Sequence, residues 1–243
     1  MAARSPSRPR PRPRARPASS PLDRLLDPID RLSETIFSVL ILLTFTLAFR
    51  IFKLGDPPAP IPAGYVNELL VAAMGATLAW GLIDGVMYAL MELLQRGERH
   101  RILAQLQAAA TEQERAAVVA DELDHILEPI ADEAEREALY RSVAAHLRHG
   151  EPRPVGFKRE DFVGALGCVL VSVVAVLPSL VPFLVLRHDP ALAIRVSNVV
   201  SFGVLFWAGY SWGTYTGASP WRTGLLLVAF AALMVAVAIP LGG

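Results

Sequence analysis

The sequence predicts an all-α, polytopic membrane protein with five transmembrane helices and a cytoplasmic helical insertion between the second and third. Three observations carry that expectation. Five stretches of roughly 20 or more mainly apolar residues recur along the chain, the length that hydrocarbon requires of a spanning helix. None alternates with the period of two that a membrane β-strand would show. Charged residues make up only 19% of the 243, against about 25% in a soluble domain, and most of them gather between the apolar runs.

Residues 1–26 read as a basic tail. Pro and Arg alternate from Pro9 through Pro17, a tract with nothing to bury and few backbone donors, so disorder or polyproline is expected. No apolar core with a small-residue cleavage site precedes Ile36, which argues against a cleavable signal. Beside a first membrane helix, such arginines suit anionic lipid. Asp27-Pro28 followed by Asp30 has the form of a helix start: an acceptor at the cap, proline at the first position and acid near the free amides. That helix should run through Phe49 and end near Gly55, ahead of Pro57, Pro58, Pro60 and Pro62. From Pro28 to Leu54 it would rise roughly 40 Å, enough to cross.

The second span is expected over residues 66–94, the third over 162–186, the fourth over 191–215 and the fifth over 221–240. Residues 27–94 thus hold two spans, 95–159 the insertion and 160–243 three spans. Within the insertion, Thr111 and Glu114 have capping-box spacing and open a helix to about Leu127. Pro129 interrupts it, and residues 131–147 resume. The segment from Glu98 to Ala110 predicts a further, separate helix. Three helices this short are marginal in water and should dock on one another or on a second subunit. In the third span, Pro178 and Pro182 each remove a helical hydrogen bond, so its outer half should bend or open.

Flanking charges set the expected orientation. Arg4, Arg8, Arg10, Arg12, Arg14, Arg16, Arg24 and Arg31 precede or begin the first span, and Arg96, Arg99, Arg101, Lys158 and Arg159 flank the insertion. The positive-inside rule then places the amino terminus and insertion in the cytoplasm and the carboxyl terminus outside, in an inner or plasma membrane.

Balanced charge, with 23 basic and 23 acidic residues, gives no reason to expect a nucleic-acid partner; the expected partner is the lipid bilayer. Cys168 is the sole cysteine, which excludes an internal disulfide, and its apolar neighbours read it as a small buried hydrophobe. Phosphate-binding loops, dinucleotide fingerprints and serine elbows are absent from the sequence, so an enzyme is not expected.

Ionisable groups inside spans are costly and face a bundle interior or a wet cavity. Asp84, Tyr88 and Glu92 recur every four residues along one side of the second span, with Met87 and Met91 beside that stripe. Carboxylate with nearby thioether is a donor set for a divalent transition metal, although methionines in such helices usually pack. Gly81 and Gly85 would permit a close helix contact. Glu34 in the first span is a second candidate, its alternative being an interfacial carboxylate paired with Arg31 or Arg24. In the insertion, Asp121, Asp124, His125 and Glu128 share one helical face, a spacing open to metal capture or to a solvated acidic surface. Ser197 and Asn198 suit an interhelical hydrogen bond or a pathway lining. Tyr210, Trp212, Tyr215 and Trp221 suit an interfacial belt.

The layout resembles the vacuolar iron transporter family. The resemblance extends over residues 27–243 and is carried by the Gly164 to Phe183 helix with its paired prolines, the glycine-containing fourth span and the Arg222-Thr223-Gly224 start of the fifth. It implies five membrane helices, a helical cytoplasmic insertion, a homodimer, and export of ferrous iron or manganese from the cytosol against protons. The family's first-helix Asp-Gly motif is missing here, Asp84-Gly85 and Met87-Tyr88 stand in the second span, and the insertion lacks methionine. A divergent branch is the implication. The function expected is therefore a proton-coupled divalent metal transporter, with Fe2+ or Mn2+ carried and no permanent cofactor. The alternative is a membrane-anchored structural or regulatory protein whose insertion binds a partner.

Overall fold

The computed structural model describes residues 26–55, 60–151 and 154–238. The arginine-proline tail, Pro57, Pro58 and Pro240 lie outside the described residues. Among the described residues, seven helices follow in order: α1 (Pro28–Leu54), α2 (Tyr65–Ala108), α3 (Glu112–Leu127), α4 (Glu133–Leu147), α5 (Arg159–Val185), α6 (Pro190–Thr216) and α7 (Pro220–Ala238). The protein is all-α, and α1, α2, α5, α6 and α7 are long and apolar enough to cross a membrane. The helical insertion, α3 and α4, falls between the second and third of these.

Helix α1 starts with proline at its first position and ends where Gly55 takes a left-handed φ of 74°, a conformation glycine adopts without strain. The Asp27 side chain makes no cap hydrogen bond, so the start rests on proline geometry, not on the expected acceptor. Apolar residues surround α1, which suits a helix buried on more than one side. Leu42 packs with Leu69, Ala73, Val176, Leu180 and Phe183. Leu32, Ile36, Val39 and Leu43 pack with Ala175, Leu205, Ala208 and Ala231. It is the element about which α2, α5, α6 and α7 assemble.

The separate helix expected over residues 98–110 does not exist. Helix α2 runs unbroken for 44 residues, about 66 Å at 1.5 Å per residue, straight across residues 94 and 95. No proline interrupts it, and Gly97 alone is too weak a breaker. Its far end supplies Leu106 to a small core with Val119, Tyr140 and Ala144. The two insertion helices are closed at their starts by capping boxes: Thr111 with Glu114, and Asp132 with Glu135.

Helix α5 likewise does not open at Pro178 and Pro182; helical geometry continues to Val185. Ser179, between the two prolines, is fully buried and latched to α6. Its carbonyl accepts from the Ser197 hydroxyl at 2.6 Å, and its hydroxyl lies 2.8 Å from that of Ser201. Ser197 thus makes an interhelical bond, which holds the proline segment in register. Helices α6 and α7 form a tight hairpin. A Cβ at Gly209 would stand 2.9 Å from the Gly224 Cα, and one at Gly213 2.8 Å from the Pro220 Cα, while Tyr210 and Trp221 meet edge to face at 5.9 Å.

Candidate metal centre

Three helices bring ionisable side chains together inside the bundle. Glu34 lies near the beginning of α1, Asp84 two-fifths of the way along α2, and Cys168 in the first half of α5. One ligand atom from each lies within 4.8 Å of the other two. Glu34 is 1% exposed and Cys168 4%; Asp84 is partly buried. Among the described residues, this is the one group of three or more carboxyl, thiol or imidazole side chains close enough to hold a metal ion.

Close helix approach creates the cluster. Ideal Cβ atoms at Gly81 and Gly85 would stand 2.9 Å from the Ser172 Oγ and 2.6 Å from the Ala165 carbonyl oxygen, so α2 lies directly against α5 because these residues have no side chain. Gly164 receives the Tyr88 ring in the same way. Leu26, just ahead of α1, packs on Cys168 and Val171 with Tyr88 alongside, which covers the cluster with apolar surface.

Hydrogen bonding at Glu34 is uneven. Its Oε1 accepts from Ser38, one turn later on α1, at 3.2 Å, and from Ser172 of α5. Its Oε2 is buried with no hydrogen-bond partner. Buried polar atoms are nearly always paired, and an unpaired carboxylate oxygen beside a second carboxyl group is costly. A bound cation would satisfy both groups, with two hydroxyls orienting Glu34 from behind.

The other candidates are dispersed. Met87 and Met91 are each 49% exposed and do not join the cluster. Glu92 bonds Arg96 at 3.2 Å. In the insertion, Asp124 accepts from the Arg136 guanidinium at 2.5 Å and from the Tyr140 hydroxyl at 2.8 Å, so its charge is already matched. Burial and this bond raise the Tyr140 phenol above its ordinary pKa. Asp121 lies with Asp124 in the groove between α3 and α4, while His125 and Glu128 are exposed.

Two features of this region escaped the sequence reading. Cys168 belongs to the cluster, and the signal was available: Gly164, Cys168 and Ser172, four residues apart, form a small and polar stripe on α5. The second is a clamp. The Arg96 guanidinium donates to both carboxylate oxygens of the 1% exposed Asp161, and also to the Gly156 carbonyl at 3.0 Å. Asp161 in turn accepts from the Lys158 amide at 2.8 Å. This bidentate pair fixes α2 to the start of α5 on the insertion side of the cluster.

No family model matches the chain, and no curated protein matches it.

Proposed function

We propose that the protein is a proton-coupled transporter of divalent metal cations, exporting iron or manganese from the cytosol, and a divergent relative of the vacuolar iron transporters. The observation that carries this reading is the buried Glu34 carboxylate, with Oε2 unpaired, facing Asp84 from a different membrane helix. Two adjacent carboxyl groups away from water need counter-charge. A proton and a metal ion can each supply it, and exchange of one for the other at a shared site is the elementary step of antiport. The carboxylates act as ligands and proton carriers, and Ser38 and Ser172 hold the Glu34 geometry.

The site lies towards the insertion. Glu34 is six residues into α1 and Cys168 nine into α5, about 9 and 14 Å from those helix starts. With the amino terminus and insertion in the cytoplasm, an ion would enter the site from that side. Flux of Fe2+ and Mn2+ into proteoliposomes under a pH gradient tests the reading. Wild type should carry metal and acidify the opposite compartment, whereas Glu34→Gln and Asp84→Asn should lose most flux. Absence of divalent flux from wild type would instead support the membrane-anchored structural role.

A further inference from the structure

An oxygen-only site would accept hard and borderline divalent cations alike, but sulfur beside it changes that preference. The Cys168 Sγ lies within 4.8 Å of a carboxylate oxygen of both Glu34 and Asp84. In tetrahedral coordination, metal bonds of about 2.0–2.3 Å place ligand atoms about 3.3–3.8 Å apart. Three ligand atoms within 4.8 Å of one another therefore close on one ion with side-chain shifts of up to about an ångström. The Glu34 Oε2 is buried with no hydrogen-bond donor from the rest of the chain, and the neighbouring Asp84 is itself a carboxyl group, so the space between the two takes a shared proton or a cation. Ser172, one turn beyond Cys168, is buried and places its hydroxyl between the Cys168 backbone carbonyl, at 2.9 Å, and Glu34, so the carboxylate is held against the α5 turn that carries the sulfur.

We infer that Cys168 is a direct thiolate ligand that makes the Glu34–Asp84 site selective for borderline, sulfur-accepting ions of the Fe2+, Co2+ and Zn2+ class over Mn2+, Mg2+ and Ca2+. The inference rests on the reading of the acidic pair as a cation site. Thiolate favours the first group, while carboxylate and water suit the second. The metal–sulfur bond forms as the S–H bond breaks; the thiol proton leaves to water and no electron is transferred. Three protein ligands leave a fourth tetrahedral position open, as release of a transported ion requires.

The test uses the full chain in lipid nanodiscs under anaerobic conditions, with Cd2+ as the spectroscopic probe. Cadmium bound to thiolate gives a sulfur-to-metal charge-transfer band, and Cys168 is the only cysteine that can supply it. Wild type should develop the band to saturation and lose it to Zn2+ at much lower concentration than to Mn2+. In Cys168→Ser, the Zn2+-to-Mn2+ affinity ratio should fall by at least the roughly 10–100-fold that loss of a mere outer-shell partner costs. Cd2+ binding without the band, or an unchanged ratio in the variant, overturns thiolate ligation. The acidic-pair reading survives that result if Glu34→Gln still abolishes Mn2+ binding. Wild type that binds none of these ions overturns both. Circular dichroism reports whether Cys168→Ser folds; if it does not, the wild-type band and its displacement order decide.

Discussion

At the scale of single residues, two buried carboxylates among the described residues have opposite provision. Asp161 is matched on every side: a guanidinium, a backbone amide and a helix start converge on it. Glu34 is matched on one oxygen only. The first arrangement is structural, and its removal should be read as stability. Arg96→Met strands the Asp161 charge and should cost about 3–5 kcal/mol, whereas Arg96→Met with Asp161→Leu should recover most of that loss. Thermal unfolding in detergent measures both, and a single variant as stable as wild type would remove the clamp from the account. Such pairing was not legible in the sequence. Arg96 and Asp161 are 65 residues apart; in the sequence Arg96 reads only as a flanking charge for orientation, and Asp161 carries no reading. Cys168 was read correctly as buried; what hid its neighbours was that burial says nothing about which helix supplies the opposite wall.

Individual elements were far more legible. Five apolar helices, the two insertion helices with the Thr111 cap of the first, and the glycine contact of the second span all follow from local pattern. Boundaries failed where a pattern changed without a break. Residues 95–108 turn from apolar to charged, which suggested a new helix, yet a change of solvent does not end a helix; only lost hydrogen bonds or a special φ does. Glycines show how differently one residue type serves along α2. Gly85→Ala would drive a methyl to 2.6 Å from the Ala165 carbonyl oxygen. Because backbone cannot step aside cheaply, a loss of about 1–3 kcal/mol is expected. Gly97→Ala, with only the Val155 Cγ1 at 3.9 Å, should stabilise the helix by up to about 1 kcal/mol. Denaturant titration of the two variants should give opposite signs. Thr111→Ala removes the hydroxyl that caps the Glu114 amide at 3.1 Å and should cost about 1 kcal/mol, seen as faster amide exchange confined to the first turn of α3.

For the whole molecule, α1 sits at the centre and the insertion projects from α2, so membrane topology is the property to measure. A fluorescent reporter in the α3–α4 turn should mature in the cytoplasm, and the same reporter at Gly243 should stay dark; fluorescence at both positions would reverse the assigned orientation of the final helices. The unbroken α2 has a further mechanical meaning. Asp84 and Leu106 are carried by one rod, 22 residues apart, which at about 100° per residue places them within about 40° of the same azimuth. Length along this rod is therefore phase. One residue added between Arg96 and Leu106 would swing the insertion by about 100° and unseat Leu106 from Val119 and Tyr140, whereas seven would return it to within about 20° of its original face. Hydrogen exchange in α3 and α4 should rise sharply after the first insertion and little after the second. The insertion helices and the acidic site thus share one rod, and their relative facing is set by its 3.6 residues per turn.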